Sequence, residues 1–303
     1  MVVELRQVRY LAAIVDQGGF TRAAEALHLS QPALSQQIRK LETSLGVLLL
    51  DRSARRVRLT DAGEAFLHRG RLALHELTAA ERAVSDVQDL SRGELRIGVT
   101  PTFADGAIGD PLSAFIDHAP GVSVSMQVGP QAVLEELLLG DRLDIALGFA
   151  DVSGVGVSVT RLHPEGLHVV VREDRGGPAD VTDHDWFAAQ CFALLPSSFA
   201  TRLHVDRFFA DQRISARVRL ESDSVGMLAD VVRRTDMTTV LPEHAVAAQP
   251  GIRSVAWITG RTVAVLTREG AYESAAAVAF RRVLELWSLR RSETALPPID
   301  GVL

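Results

Sequence analysis

The stretch that decides the fold runs from Phe20 to Leu45 and reads FTRAAEALHLSQPALSQQIRKLETSL. Two short helical patterns lie on either side of a turn at His28 and Leu29. Ser30 is placed to cap the second helix, and Pro32 falls in its first turn, where a missing N–H is tolerated because that donor has no partner within the helix. This order of elements is that of a helix-turn-helix.

The second helix has two different faces. Apolar residues recur at steps of four, three and four, which predicts that this side packs on the domain. They are Leu34, Ile38, Leu41 and Leu45. On the opposite side, an amide can pair with adenine, an arginine with guanine or phosphate, and a proline can touch a thymine methyl. Thr21 is placed to cap the first helix, over residues 21–27. The residues predicted to face DNA here are Thr21, Ser30, Gln31, Pro32, Ser35, Gln36 and Arg39.

The segment after the second helix indicates a wing, a hairpin beside the helix-turn-helix. Two extended pieces are predicted at residues 47–50 and 57–59. The arginines between them are predicted to enter the minor groove or to bind phosphates, with an affinity that falls as salt rises. They are Arg52, Arg55 and Arg56. A solvated helix face followed by a solvated run of charge is the alternative, but the succession of these elements favours DNA contact.

These residues, together with GVLLLDRSARRVRLTDAGEAF from Gly46 to Phe66, closely resemble the N-terminal winged helix-turn-helix of the LysR-type transcriptional regulators. The match covers about 60 consecutive residues, which makes it more specific than a short motif. One departure is Leu50, where the family usually has an aromatic residue. Because one apolar residue replaces another, we expect local repacking and no loss of DNA binding.

Charge is distributed unevenly along the 303 residues. The formal net charge is −6, yet the first 60 residues hold nine Lys and Arg against five Asp and Glu, whereas the remainder holds 23 against 33. This asymmetry predicts that the anionic partner, double-stranded DNA, binds at the N-terminal end.

Neither a membrane segment nor a resident metal or cofactor is predicted. No apolar run approaches the roughly 18 residues that span a bilayer, and Arg6, Arg9 and Asp16 interrupt the apolar N-terminus, so a cytoplasmic protein is expected. The single cysteine, Cys191, excludes an intrachain disulfide and a cysteine metal cluster, and the nine histidines lack a ligand spacing. The sequence has no cofactor fingerprint.

Residues 61–90 predict one long helix. They include no proline, and apolar or small residues alternate at steps of four and three, the pattern of a heptad seam. The seam consists of Phe66, Gly70, Ala73, Leu77, Ala80, Val84 and Val87. A narrow stripe predicts pairing with the same helix of a second subunit, as the resemblance to LysR regulators implies, in a homodimer or homotetramer. Packing on its own domain is the alternative.

After residue 91, strand-like and helical runs alternate in βαβ order, which implies a parallel sheet. One helix is predicted at residues 103–117, and separate strands at 155–162, 167–172, 252–257 and 263–267. Two lobes, about 94–162 with 268–303 and 163–267, resemble the periplasmic-binding-protein-like effector domain of the LysR family. The predicted fold is therefore α/β, with a winged helix-turn-helix (1–60), a linker helix (61–90) and a two-lobed effector domain (91–303).

The cleft between the lobes is the predicted effector site, because ligands of such folds bind at the carboxyl ends of strands. Hydroxyl groups and helix N-termini in this region suit a small anion, with Arg202 as its counter-charge. Ordinary helix capping and a pair of Arg202 with Asp206 are the alternatives. The predicted effector-binding residues are Thr100, Pro101, Thr102, Gly129, Phe149, Ser197, Phe199, Thr201 and Arg202.

Four runs look like the branch of the family that includes cyanate-operon regulators, and cyanate is a small linear anion. They are GVTPTF (98–103), LDIALGFA (143–150), SSFATR (197–202) and VVRRTDMTTVLP (231–242). The chain departs from that branch at Gly129, where a hydroxyl residue is usual, and at His163, Pro164 and Glu165.

The resemblance implies a ligand-responsive bacterial transcription regulator, in which an effector changes lobe closure and thereby the DNA held by paired heads. A solute-binding receptor would fit the second half alone, but it would need a signal peptide and no basic head. An enzyme is the other alternative. No nucleophile elbow, P-loop, dinucleotide fingerprint or metal-ligand cluster is present, so no enzymatic activity is predicted.

Overall fold

The computed structural model describes residues 3–51, 57–86, 93–152 and 154–292. The contacts divide the chain into two compact units, Met1–Ser85 and Asp86–Leu303. Among the described residues, no helix is both long and apolar enough to cross a bilayer.

The N-terminal unit is a helix-turn-helix followed by a hairpin and a long helix. Gly18, with φ of +67°, follows the first helix, and Ser30 begins the third by accepting a hydrogen bond from the Ala33 amide at 3.3 Å. The core lies between the first three helices, where Leu11, Leu34 and Ile38 are fully buried. The elements are α1 (Leu5–Asp16), α2 (Phe20–Ala26), α3 (Gln31–Leu45), β1 (Leu50–Asp51), β2 (Arg58–Leu59) and α4 (Asp61–Asp86).

Two local predictions in this unit are wrong. Thr21 does not cap α2, because the helix begins one residue earlier, after Gly19, and Thr21 lies within its first turn. The wing strands are shorter than predicted. The buried Glu42 carboxylate accepts hydrogen bonds from the amides of Leu49 and Leu50, at 3.0 and 3.2 Å, and this ties the start of the wing to α3.

The predicted seam of α4 divides into two parts. Phe66 is half-buried and Gly70 is buried, and a Cβ atom on Gly70 would lie 2.5 Å from Cγ1 of Val8 in α1. The next positions of the seam, Ala73, Leu77 and Ala80, are exposed. Val87 and the side chain of Val84 lie outside the described residues. The start of α4 therefore packs on its own unit, whereas its later turns leave an apolar stripe uncovered.

The C-terminal unit is built on a six-stranded sheet in the order β4-β3-β5-β10-β6-β9, with β7 and β8 as a further parallel pair. As predicted, β3 is parallel to β4 and β5. The sheet is nevertheless mixed, since β10 is antiparallel to β5 and β6. The strands are β3 (Gly93–Val99), β4 (Val122–Val128), β5 (Ile145–Phe149), β6 (Val157–Arg172), β7 (Cys191–Leu194), β8 (Arg217–Glu221), β9 (Thr239–Pro242) and β10 (Ile252–Arg268).

The strands β6 and β10 are each continuous, where two strands were predicted in each case. They pair with each other over their whole length, with bulges near Ser254, Trp257 and Thr262. Residues 163–165 and 259–262, which include a proline, a glycine and charged side chains, lie between the strands predicted from the sequence. The structure buries charged groups from both segments against each other, so neither strand has to end there.

Helices pack against the strands of the sheet. We refer to the described residues within 93–162 and 262–292 as lobe I, and to residues 163–261 as lobe II. The helix predicted at 103–117 is two helices, because the chain turns at Gly106, where an added Cβ would lie 3.0 Å from the carbonyl oxygen of His244. The helices of lobe I are α5 (Pro101–Ala104), α6 (Gly109–His118), α7 (Gln131–Leu139) and α12 (Ala275–Ser292). Those of lobe II are α8 (His184–Ala189), α9 (Ala200–Asp211), α10 (Val225–Arg234) and α11 (Glu243–Ala247), of which α11 was not predicted.

Candidate functional site

The outer face of α3 is free of the N-terminal core. The inward stripe of Leu34, Ile38 and Leu41 is fully buried, which fixes the rotation of the helix about its axis. The opposite face is turned to solvent, as the sequence predicts: Gln31, Pro32, Gln36 and Arg39 are exposed and Ser35 is half-buried. This arrangement leaves amide, hydroxyl and guanidinium groups side by side on one helix, the groups that read base edges in a major groove.

Two further residues predicted to face DNA, Thr21 and Ser30, belong to α2 and to the N-cap of α3. Thr21 on α2 is exposed, and Ser30 is exposed although its hydroxyl is engaged in the cap of α3. Arg52, Arg55 and Arg56 lie outside the described residues.

A buried charged cluster of the C-terminal unit is centred on Arg261, whose side chain is fully buried. Its Nε and Nη2 atoms lie 2.8 and 2.7 Å from Oε2 of Glu165. Nη1 donates to the Thr201 hydroxyl at 2.6 Å, and Nη2 donates to the Thr102 hydroxyl at 3.3 Å. The guanidinium also lies 3.6 Å above the ring of Phe149. Because Thr102 and Phe149 belong to lobe I and Thr201 to lobe II, Arg261 joins the two lobes.

Glu165 links this arginine to a histidine. Its Oε1 atom accepts a hydrogen bond from Nδ1 of His244 at 2.9 Å. Burial alone would raise the pKa of the Glu165 carboxyl, but the charge of Arg261 and the bond from His244 lower it to about 2. Burial lowers the pKa of Arg261, and attraction by Glu165 opposes that change. The site therefore contains an ionised carboxylate held between two nitrogen donors.

Aromatic rings complete the cluster on the side of lobe I. Phe103 stacks on the ring of His244 with centroids 5.6 Å apart, and on Phe149 with centroids 5.4 Å apart. His244 and Arg261 therefore stand at the two ends of a pair of stacked phenylalanines, a position in which the ring faces attract positive charge. Glu165 connects the same two residues on the other side.

A second contact between the lobes lies at the end of α5. The backbone N–H groups of Val225 and Gly226, at the start of α10, donate to the carboxylate of Asp105. Burial raises the pKa of Asp105, and these two bonds partly offset the rise. Lobe I therefore touches lobe II at α10 as well as at His244.

Of the nine predicted effector-binding residues, the structure brings Thr102, Phe149 and Thr201 together around Arg261. The hydroxyl of Thr100 is buried and has no partner among the described residues. Pro101 is buried in the first turn of α5. Gly129 is half-buried, and an added Cβ would meet nothing within 4 Å.

The structure does not support the role predicted for Arg202. Its Nε atom lies 2.7 Å from Asp206, and its Nη1 atom donates to Glu221 and to the Leu195 carbonyl at 2.5 and 3.0 Å. The pairing with Asp206 is the alternative that the sequence left open. Phe199 is packed in the core of lobe II, and Ser197 is exposed at the surface.

A cavity of about 470 Å³ lies beside the cluster, between α9 and β10. At its rim, Nε2 of His204 in lobe II lies 3.2 Å from the carboxylate of Asp151 in lobe I. Burial, followed by the charge of Arg261, lowers the pKa of His204. Exposed Arg207 lines the same cavity. The region next to the cluster is thus polar and accessible.

Sequence reasoning missed Arg261 and His244 as members of the site. A signal was present, since Arg261 interrupts the strand-like run from Ile252 to Thr267 and Glu165 interrupts the run before Leu167. Charged residues inside apolar strands are rarely buried without partners, so these two interruptions could have been paired with each other.

Comparison with known protein families gives two matches. Residues 5–64 match the model described as "Bacterial regulatory helix-turn-helix protein, lysR family", and residues 88–287 match the model described as "LysR substrate binding domain". The nitrogen assimilation regulatory protein nac of Escherichia coli is 36% identical over 246 residues, which cover 80% of this chain and 79% of the relative. The transcriptional activator CmpR of Synechocystis is 31% identical over 232 residues, covering 73% of this chain and 72% of the relative.

Solved structures share the fold. A full-length OxyR from Pseudomonas aeruginosa superposes with a TM-score of 0.71 at 23% identity, covering 98% of this chain and 100% of that one. Full-length CbnR in complex with its target DNA gives a TM-score of 0.63 at 24% identity, covering 96% of this chain and 100% of that one.

Proposed function

Since the chain belongs to the LysR family of ligand-responsive bacterial transcription regulators, we propose that it senses a small anion between its lobes, with Arg261 as the counter-charge. The observation that carries this proposal is a fully buried guanidinium that reaches hydroxyl groups of both lobes. An anion that bonds to Arg261, Thr102 and Thr201 would act on both lobes at once. Thr100 and Gly129 belong to the same proposed site.

At the other end of the chain, we propose that the exposed face of α3 reads the operator in the major groove of cytoplasmic DNA. Gln36 is assigned to base recognition, because its amide is exposed and lies one helical turn from Pro32, near the start of the helix. Arg52, Arg55 and Arg56 are assigned to the minor groove or to phosphates on the basis of the sequence.

The subunits are proposed to pair through α4. The exposed stripe of Ala73, Leu77 and Ala80 continues a seam whose first part is already packed on the N-terminal unit. Pairing by this stripe would place two α3 helices on one operator, as two half-sites require. Further pairing into a homotetramer is compatible with this proposal.

A footprint on the intergenic DNA upstream of the protein's own gene tests the proposal. The purified protein is incubated with this DNA alone, and then with each of a panel of sodium salts: cyanate, formate, acetate, oxalate and sulfate. Cyanate is included because of the resemblance of four sequence runs to cyanate-operon regulators. We expect protection that shortens or shifts with one anion. Protection that no anion changes would reject the anion site and keep the DNA-binding assignment.

A further inference from the structure

Each of the two nitrogens of the His244 ring lies within hydrogen-bond distance of an oxygen atom. Nδ1 lies 2.9 Å from Oε1 of Glu165, on β6. Nε2 lies 2.8 Å from the backbone carbonyl oxygen of Thr102, at α5 of lobe I. The side chain of His244 is only 4% exposed, so water does not substitute for either partner.

Neither partner can donate a hydrogen. A carbonyl oxygen only accepts, and the Glu165 carboxylate is held ionised by the Arg261 guanidinium, whose Nε and Nη2 atoms lie 2.8 and 2.7 Å from its Oε2 atom. A neutral imidazole carries hydrogen on one nitrogen and would turn a lone pair towards the other acceptor. Both contacts are satisfied together only when each ring nitrogen carries a hydrogen, which is the charged form of histidine.

The groups that surround this ring define the charge of the cluster. Glu165 and His163 act on it from β6, and Arg261 on β10 shares the Glu165 carboxylate with it. Burial lowers the pKa of His163 to about 4, so that ring is neutral near pH 7. On α5, Asp105 is turned to the start of α10. Among the described residues, the groups bonded to the ring and to its carboxylate partner thus include one guanidinium, Arg261, and one ionised carboxylate, Glu165.

We propose that the two lobes close around a doubly protonated His244, so that proton binding at this ring favours closure and gives the interlobe site the net positive charge that a small monoanion neutralises. A buried net charge is costly unless it is paired, so the proton and the anion favour each other. Because coupling between two ligands is reciprocal, the concentration of anion needed for half response should rise with pH.

The ligand class in this inference rests on the proposed anion site, whereas the protonation of His244 does not. The latter is tested without any ligand. The full-length protein is labelled with ¹⁵N-histidine, and two-bond ¹⁵N–¹H correlation spectra are recorded at about pH 7, near the upper end of the usual range for histidine titration. The His244→Gln spectrum identifies the signals of His244. His184→Gln serves as the matched control, because this histidine lies exposed on α8 of the same lobe.

We expect both nitrogens of His244 to show the pattern of a protonated ring, while the signals of His184 disappear only in its own variant. A neutral tautomer pattern for His244 would overturn the inference, even if the footprint responds to an anion. Conversely, a footprint that no anion changes would reject only the anion ligand, and the protonation of His244 would still stand.

Variants of Glu165, the carboxylate partner, provide a second test of the protonation of His244. Glu165→Gln removes the charged partner of His244, so we expect the ring to become neutral at the same pH. Glu243→Gln removes the exposed carboxylate next to it in sequence, and we expect no change at His244. If the Glu165 variant does not fold, the wild-type spectrum still shows whether both nitrogens of His244 are protonated. A His244 ring that stays doubly protonated in folded Glu165→Gln would overturn the role of the carboxylate.

Discussion

The residues of the interlobe cluster differ from Arg202 in what surrounds them. Arg261 is fully buried and its carboxylate partner is 7% exposed, whereas the partners of Arg202, Asp206 and Glu221, are 45% and 50% exposed. Removal of one member of a buried ion pair leaves an uncompensated charge inside the protein. When the partner that remains is exposed to water, its charge is solvated and the loss is smaller.

We therefore expect Arg261→Gln to lower the free energy of unfolding of the C-terminal unit by about 3–5 kcal/mol, because Glu165 loses its charge partner inside the protein. Arg202→Gln should cost less than Arg261→Gln, since the carboxylate partners of Arg202 are half in water and stay solvated without it. Urea denaturation of both variants measures this difference. The double variant Arg261→Gln with Glu165→Gln should recover part of the loss, and a double variant less stable than Arg261→Gln alone would contradict the argument.

The buried ring of His163 should make the free energy of unfolding depend on pH in the acid range. It is buried, bonds to the Ser288 hydroxyl at 2.9 Å, and has a pKa lowered to about 4 by burial. The unfolded chain, with a pKa of about 6.5 at this residue, binds the proton more readily. The stability that His163 contributes is therefore full above about pH 6.5 and is lost as the pH falls towards 4.

Between about pH 7 and pH 5 this residue should account for a loss of about 2 kcal/mol in the free energy of unfolding. His163→Asn, which retains a polar contact with Ser288, should lose less stability over the same interval. Urea titrations of both proteins at the two pH values provide the measurement. Equal losses in the two proteins would show that the stability does not depend on protonation of His163.

At the level of elements, α3 and the wing are proposed to contribute differently to DNA binding. Gln36→Ala should relax operator selectivity by about 1–3 kcal/mol, because an amide that pairs with one base edge is lost. Fold and self-association should not change, since the side chain is exposed. Competition of operator and random DNA in a binding assay measures the ratio. Unchanged discrimination would remove Gln36 from the list of base readers.

Arg56→Ala should have a different effect, as expected for a phosphate contact. Affinity for every sequence should fall, and the slope of log affinity against log salt should decrease by about 1. Titrations at several salt concentrations on operator and random DNA test this. A loss confined to the operator would instead assign Arg56 to base recognition.

The exposed part of α4 is proposed to mediate self-association, which substitutions on this helix can test. Leu77 is 37% exposed on the seam, so Leu77→Asp should weaken self-association by placing a charge in the proposed apolar interface. Thr78→Asp is a matched control, because Thr78 is exposed on the same turn and lies off the seam. Sedimentation of both variants gives the dimer fraction. Equal dissociation in the two would place the interface elsewhere.

Most elements could be predicted from the sequence because their determinants are local. Ser30 and Gly46 mark the ends of α3, and the strand from Val122 to Val128 lies between clear turn signals. The errors have non-local causes. The continuity of β6 and β10 depends on their pairing with each other, and α11 follows a strand that ends in Pro242 without a capping side chain of its own.

At the level of the whole molecule, the site depends on a register that no local pattern contains. Arg261 pairs with Glu165 because the two residues, which are 96 positions apart in sequence, lie opposite each other on antiparallel strands. Thr102 and Thr201 could be predicted as candidates because each opens a helix after a strand. The proposed counter-charge, Arg261, could not be predicted from the sequence. Arg202 and Arg261 are distinguished only by which carboxylates the folded chain places near them.

An anion bound at Arg261 is proposed to act on both lobes and thereby on the DNA. The most direct test is the operator footprint of wild type, Arg261→Gln and Arg202→Gln with the anion that shifts the wild-type protection. We expect all three proteins to protect the operator without anion. With the anion, protection by Arg202→Gln should shift as in wild type, and protection by Arg261→Gln should not shift. A shift with Arg261→Gln at the wild-type anion concentration, or loss of the shift in Arg202→Gln alone, would exclude Arg261 as the counter-charge.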